Sequence, residues 1–411
     1  MKLTTLSVKG YKSYAGSTTL DLAPLTILVG ANNSGKSALA RAISLIAGGL
    51  TQSDSNSREP LNLTTGGIEH GREFVDLMAG RSSHGSLSLS VSFVINGCES
   101  SLSVSVQNVE SPSGRSERQI SQWQLSRENK QVDAERMGLG QESRYQTSIS
   151  GADPHENTLS WRGLVPMRPN PLPDWVNDQV RLFGKWATGI RHLRYPRRFE
   201  STSLLMDLTP ENEYNSSGRT AAQMLISSAV LKDSVRAWYQ DVFGASLGVK
   251  KQGVYSDIEI GASSGVSRVL LGQSGSGLLQ VLPVAVMALT AQFEGPGVDI
   301  VEHPEADLHP AAHAHVADVL LENLAHAARP VIIETHSEMV LLRTRRWIAE
   351  GRIPADSVLI YWIHTEPTKG SFLRKIKIDD SGNLSHWPNG VFIEDYEEIL
   401  AIRRAARRRQ R

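Results

Sequence analysis

Gly30-Ala31-Asn32-Asn33-Ser34-Gly35-Lys36-Ser37 is the stretch on which the reading of this chain turns. It fits the spacing G-x-x-x-x-G-K-[ST], in which a glycine-rich loop aims successive backbone N–H groups inward at the start of a helix. Those amides and the positive helix end together cradle β and γ phosphates. Lys36 adds a point charge, and the hydroxyl of Ser37 is a magnesium ligand. The flanks separate such a loop from a glycine turn that merely caps a helix. Before it, Leu25-Thr26-Ile27-Leu28-Val29 is an apolar run between Pro24 and Gly30, suited to a strand buried on both faces. After it, Leu39, Ile43 and Ile46 recur at helical spacing from Lys36 to Ala47.

A phosphate loop needs a carboxylate at the end of a neighbouring strand to hold magnesium. Val298-Asp299-Ile300-Val301-Glu302-His303-Pro304-Glu305 is the best candidate, an apolar run that ends in Glu302. Farther on, Val331-Ile332-Ile333 runs into Glu334-Thr335-His336-Ser337 and places a histidine at another strand mouth. Between these two runs Val316, Val319, Leu320 and Leu324 mark an amphipathic helix, and Val358-Leu359-Ile360-Tyr361 reads as one more buried strand. Strand and helix alternation of this kind predicts an α/β core with a mixed, largely parallel sheet and flanking helices.

From about 51 to 166 the composition turns to serine and glycine. Leu87, Leu89, Val91 and Phe93 alternate with serines, Asn96-Gly97 follows, and Leu102, Val104 and Val106 alternate again, which predicts an antiparallel hairpin with a type I′ turn. The tail of this region, Ser111 to Asn157, lacks periodicity and reads as a mobile loop. The expected division is a head of residues 1–50 and 167–390, a serine-rich antiparallel β insert of 51–166, and an arginine-rich tail of 391–411.

Length and composition bound the rest. The 411 residues suit two or three domains at ~100–200 residues each. With 43 Lys+Arg against 43 Asp+Glu the molecule is no polycation, so nucleic acid could be met only by a local patch. One cysteine, Cys98, excludes an intrachain disulfide framework and a cysteine-built zinc site, and suits a reducing compartment. No apolar run approaches the ~20 residues of a membrane span, and Met1–Gly10 alternates instead of forming a signal-peptide core. The expectation is a cytoplasmic protein with no membrane contact.

Lys12-Ser13-Tyr14, the GANNSGKS loop, VEHPEADLHP from Val301 and ETHSE from Glu334 together resemble the ABC-type ATPase heads of the OLD, RecF and SMC class. From about Glu302 through ETHSEMVLLRTRRWIAEGRI to the WPNG segment at Trp387, the chain is similar to a narrower group of bacterial OLD-like AAA-family ATPases whose carboxyl-terminal domain has no assigned function. The resemblance covers most of the chain and is weakest between 51 and 166. It implies a P-loop NTPase with an ABC-type head, binding ATP with Mg2+ and forming a head-to-head dimer, or a higher even oligomer, around the nucleotide. It places Gly30, Asn32, Asn33, Ser34, Gly35, Lys36, Ser37, Ala38 and Lys12 at the nucleotide. It makes Glu302 the magnesium-side acid beside Ser37, and His336 the histidine that senses the γ phosphate. Gly275-Ser276-Gly277-Leu278-Leu279-Gln280 falls where such heads carry the signature loop that meets the partner's phosphate, with Ser276 and Gly277 as its contacts. The match departs at Leu279, where related sequences usually have serine, so Ser274 or Ser276 would supply any hydroxyl.

A second departure bears on chemistry. The position after Glu302, commonly the glutamate that activates water, holds His303. His303 as base, Glu305 reaching in from two residues on, and slow hydrolysis with binding itself as the switch are three competing readings, and the sequence favours the third. Losing a general base costs ~10²–10⁴ in rate. Of the neighbouring histidines, His309 and His313 could share a helix face while His315 points away, so a hydrogen-bonded face is preferred over a metal site. His192-Leu193-Arg194-Tyr195-Pro196-Arg197-Arg198 matches a strand-end element in which an arginine can face phosphate or DNA, and Arg403–Arg411 could bind a nucleic-acid backbone. Arg343, Arg345 and Arg346 read as a solvated helix face. Relatives often act in antiphage or DNA-maintenance systems, and several carry a nuclease domain after the ATPase. Only a short stretch follows His336 here, so a separate effector, a nuclease or toxin, is expected. The alternatives are an ATP-binding scaffold with negligible hydrolysis and a repair-type DNA-binding ATPase.

Overall fold

The computed structural model describes residues 1–52, 59–110, 116–138, 143–197, 203–205, 218–253, 255–262, 268–290, 295–326, 329–387 and 402. Its centre is a six-stranded sheet in the order Arg191–Leu193, Asp299–Glu302, Val331–Glu334, Leu25–Gly30, Val358–Glu366, Gly370–Ile376. Every neighbouring pair is parallel except the last, a hairpin. The Leu25–Gly30 strand is buried at all six positions because both faces are covered. Leu25, Ile27 and Val29 point to one cluster, shared with the helices Ser276–Leu289 and Glu338–Ala349; Leu28 points to the other, shared with Lys36–Thr51 and Asp174–Ala187. Neighbouring strands follow the same alternation, with Val301 and Ile333 on the first face and Ile300 and Ile332 on the second. The mixed, largely parallel core is therefore as the strand–helix alternation predicts.

The second sheet is antiparallel and eight-stranded, in the order His155–Thr158, Arg144–Ile149, Lys130–Arg136, Ser116–Arg127, Cys98–Glu110, Ser86–Ile95, Lys2–Lys9, Thr18–Asp21. The predicted hairpin is present: Ile95 pairs with Cys98, and Asn96 and Gly97 take φ 52° and 83°, the left-handed pair a type I′ turn requires. Leu87, Leu89, Val91 and Phe93 fill the core, while serines on the other face bond across strands, Ser88 with Ser105 at 2.8 Å and Ser90 with Ser103 at 2.7 Å.

Two expectations need correction. The described part of the stretch expected to be a mobile loop, 111–157, holds four strands. Its apolar signal is sparse because only Ile120, Trp123, Leu125, Val132, Ala134 and Tyr145 reach the core, at positions shifted by a bulge opposite Ser105 and Val106. The boundary at residue 50 is not structural either, since Lys2–Lys9 pairs directly with Ser86–Ile95 and makes the 51–166 strands an extension of the amino-terminal sheet. A third, smaller antiparallel sheet, built on Ala245–Gln252 and Tyr255–Ala262, had no counterpart in the sequence reading. Among the described residues no helix is long and apolar enough to cross a membrane. The tail 391–411, apart from Ile402, and Arg198 lie outside the described residues.

Candidate active site

The loop 30–37 leaves its strand at Gly30 and enters the Lys36–Thr51 helix through Gly35, which sits at φ 101°. A side chain at Gly30 would lie 2.1 Å from the carbonyl oxygen of Ile363, and one at Gly35 would lie 2.6 Å from the Ser13 hydroxyl, so both glycines are demanded by close approach. Ala31, Asn32 and Asn33 form the exposed tip, with Asn33 left-handed at φ 61°. Lys36 is buried and donates to the carbonyls of Gly30 and Ala31 at 3.0 and 2.9 Å; burial lowers its pKa. Ala38 lies half-buried in the first turn of the helix. From behind, the Tyr14 hydroxyl donates to Gly35 O at 3.0 Å and Ser371 N donates to Ser13 O at 2.8 Å. Lys12, expected at the nucleotide, points Nζ to His70 O at 2.7 Å.

The strand adjoining the phosphate-loop strand is Val331–Glu334, not Asp299–Glu302, which lies one strand farther out. At the ~4.8 Å spacing of strands this puts the Glu302 backbone about 10 Å from the loop strand. Sequence order cannot reveal this, because the strand inserted between the two comes later in the chain. As a result Ser37 Oγ donates to Glu334 Oε1 at 2.7 Å. Glu334 is buried; burial first, and then Glu302, raise its pKa, and its Oε2 is buried without a protein partner.

Glu302 is engaged on both oxygens. Arg41, on the loop helix, donates Nε to Oε1 and Nη2 to Oε2, each at 2.7 Å; His192 Nε2 lies 3.2 Å from Oε1 and Tyr195 N donates to Oε2 at 3.2 Å. A carboxylate only accepts, so His192 carries its proton on Nε2 and takes the Ser44 hydroxyl on Nδ1 at 2.7 Å. Burial would raise the Glu302 pKa, but Arg41 and His192 outweigh it and hold the carboxyl well below the usual range. Neither Arg41 nor His192 was among the sequence-derived candidates; Arg41 is five residues from Lys36, with nothing in its own neighbourhood to mark it.

His303 has φ 45° and stacks on His336, ring centroids 5.0 Å apart and 8° from parallel, with Tyr195 edge-on at 5.6 Å. Its Nε2 is 3.7 Å from Glu334 Oε1 and its Nδ1 3.9 Å from Glu305 Oε1. Glu305 is buried and accepts His336 N at 3.0 Å; burial would raise its pKa, but hydrogen bonds from His303 and backbone amides lower it. His336 presents one side to solvent, and burial of the rest, followed by Lys36 and His303, pushes it down to about 4. The two histidines, Glu334 and the loop thus converge. His313 belongs to the same wall: its Nε2 donates to Leu308 O at 3.2 Å and its Nδ1 meets the Ser337 hydroxyl at 2.9 Å. His309 Nδ1 accepts Ala311 N at 3.2 Å, and His315 is exposed.

Two readings change here. Of the arginines in the 192–198 segment, one of which could face phosphate or DNA, Arg197 is 1% exposed and turned inward; it donates to the carbonyls of Gln280, Glu302 and His303, tying the acidic strand to the Ser276–Leu289 helix. Gly277 is required by its own chain, since a side chain there would meet Asp307 O at 2.4 Å, whereas Gly275 opens on free space and Ser276 is exposed. The fit to a nucleotide with magnesium rests on the loop geometry, on Ser34 Oγ and Glu334 Oε2, which are buried with no protein partner, and on Ser37 beside the latter. Among the described residues no group of three or more His, Cys, Asp or Glu is arranged to hold a metal ion alone. Magnesium keeps waters and phosphates as ligands and asks only one or two side chains of the protein.

Residues 1–130 match the family model described as AAA ATPase domain. No curated protein matches the sequence. Among solved structures, an SMC head bound to the C-winged helix domain of ScpA is 14% identical with a TM-score of 0.52, covering 92% of this chain and 98% of that one. A Pyrococcus furiosus SMC head with an extended coiled coil, bound to the C-terminal domain of ScpA, is 13% identical with a TM-score of 0.50, covering 98% and 99%. The chain has the fold of an ABC-type ATPase head and is a P-loop ATPase.

Proposed function

We propose that this protein is a cytoplasmic, Mg2+-dependent ATP switch that hydrolyses ATP slowly, dimerises around the nucleotide and drives a separate effector. The observation that carries the slow step is the state of the acids around position 303: Glu302 is saturated by Arg41, His192 and Tyr195 N, and Glu305 accepts His336 N on Oε1 while its Oε2 is buried away from water without a protein partner. His303 is left as the group placed to take a proton from water. Imidazole can accept a proton from water, but it lacks the negative charge that would orient the water and the ion together. The loop amides and Lys36 hold the phosphates, the Ser37 hydroxyl serves the magnesium ion, and the backbone of the His336 turn is fixed by Glu305. Magnesium, when bound, neutralises charge on the transferred phosphoryl group. Dimerisation is supported by the open space at Gly275 and the exposed Ser276, a helix start available to a phosphate from outside the chain. A partner protein is in keeping with the two solved heads, each bound to a ScpA domain. The setting in antiphage defence or DNA maintenance rests on the resemblance of the motifs alone.

Equilibrium ATP binding and single-turnover phosphate release on the same preparation test this. Tight binding is expected with turnover far below the ~10 s⁻¹ typical of enzymes. Lys36→Ala should abolish both, and His303→Glu should raise turnover about 10²-fold. Rapid turnover by the unaltered protein, or no ATP binding, would sink the proposal. Sedimentation with ATP and with ADP reads the dimer, which should form with ATP only.

A further inference from the structure

We infer that Glu334 is a further catalytic residue of the ATPase reaction: with His303 it grips the attacking water by both protons, supplying from the neighbouring strand the carboxylate that position 303 lacks. The inference deepens the reading of slow hydrolysis above and rests on it. His303 Nε2 and Glu334 Oε1 lie 3.7 Å apart, while Nδ1 faces Glu305 Oε1 at 3.9 Å. Of the two acids, Glu305 is the one that His303 holds ionised. A carboxylate only accepts, so the ring carries its proton on Nδ1, towards Glu305, and turns the Nε2 lone pair to Glu334. Two acceptors at that distance are joined by a molecule that donates twice, and a water oxygen about 2.8 Å from each fits the gap. Its own lone pairs then point away from both, free to attack. The pair is held rigidly: His303 N donates to Glu334 O at 2.8 Å, and the ring is stacked on His336 with Tyr195 edge-on. His303 also keeps a left-handed φ of 45°, a conformation that a non-glycine residue holds only where its surroundings over-determine it. The pair opens on the phosphate side, because Glu334 Oε1 accepts the Ser37 hydroxyl at 2.7 Å, and the ring is 22% exposed, so water reaches it. Glu305 cannot take the same part: it faces the opposite ring nitrogen, and its Oε1 accepts His336 N. As the water oxygen bonds to the γ phosphorus, the bond from phosphorus to the β-phosphate oxygen breaks and ADP leaves with its electron pair. One water proton passes to His303 Nε2, and the other stays on the phosphate, hydrogen-bonded to Glu334. The magnesium-side role of Glu302 is untouched.

The test reads ATP affinity, with Mg2+ and with chelator, and the single-turnover rate of phosphate release. It compares the unaltered protein, Glu334→Gln, His303→Ala and the double variant, each first checked by circular dichroism and melting. Glu334→Gln should not weaken ATP binding under either condition, yet should release phosphate about 10²-fold more slowly, so that the nucleotide it carries through rapid gel filtration stays ATP. His303→Ala should lose a similar factor. The double variant should be little slower than the slower single one, because two groups that hold one water act as a unit. In the His303→Glu background the Glu334 carboxylate becomes redundant, and adding Glu334→Gln should change the rate little. Should Glu334→Gln fold poorly, Glu334→Asp replaces it; its shorter arm draws the carboxylate back from the water, and a partial loss of rate is expected. An unchanged rate in folded Glu334→Gln, losses that multiply in the double variant, or a loss of Mg2+-dependent affinity in Glu334→Gln would each overturn the assignment, the last by making Glu334 a metal-side group. An unaltered protein that binds ATP and never releases phosphate would overturn it too, whereas absence of ATP binding would overturn the nucleotide reading beneath it.

Discussion

Glu302 and Glu334 end adjacent parallel strands, face each other in register and are both buried, yet their surroundings make them opposites. One is an anion whose charge is met twice over; the other has a single hydroxyl partner and a bare oxygen. Around Glu302 Arg41 and the rings of His192 and His70 gather, and around Glu334 lie the loop and His303. A strand-end carboxylate in such a sheet is therefore not defined by its position alone. The first ties the loop helix to the acidic strand through Arg41, and the second keeps one oxygen without a protein partner.

The largest break in this comparison should come from Glu302→Ala. It strands Arg41 and His192 beside a buried void, and removing one partner of a buried pair costs about 3–5 kcal/mol, with the lower end expected because Arg41 keeps some solvent contact. Denaturant unfolding should show a much lower midpoint with little change in slope.

The next effect concerns acid. His70 is 1% exposed, neither ring nitrogen has a protein partner, and burial first, then His192, Lys12 and Arg41, push its pKa down to about 3 from 6.5. Its folded value is depressed, so the unfolded chain binds the extra proton: the contribution is fully present above pH 6.5 and is lost as pH falls from 6.5 towards 3. In that window stability should fall by up to about 1.4 kcal/mol per pH unit from this residue. His70→Phe should flatten the acid limb of melting temperature against pH; an unchanged limb would show that the ring finds protons or water on its own.

Smallest, and opposite in sign to the first, is Glu334→Gln without ligand. Its carboxyl pKa is raised, so the charged form is the disfavoured one, and stability drains as pH rises above the unfolded value of 4.5. Neutralising it should raise stability at pH 7 by about 1 kcal/mol. A drop of the size seen for Glu302→Ala would erase the distinction between the two acids.

Much of the site was written in one dimension. Gly30, Gly35, Lys36 and Ser37 follow from a spacing that has a single local purpose, and the strand and helix flanks follow from period. His336 was legible because a histidine after Val331-Ile332-Ile333 has to sit at a strand mouth. The hairpin at Asn96-Gly97 was legible because few residues tolerate two successive left-handed positions. Arg41 and His192 were not, because each acquires its role from a residue 261 or 110 positions away. The strands within 111–157 were missed because their exposed faces and a bulge blur the alternation on which detection depends.

What the sequence determined by itself is a phosphate loop, a set of buried strands and a set of acids and histidines that end them, since each depends on residues near one another along the chain. Which acid stands beside Ser37 was decided only by the order in which the strands pack. That order is set by side-chain burial on both faces of the sheet. It slides Val331–Glu334 between two strands that precede it in the chain, leaving Glu302 to Arg41 and Glu334 to the loop.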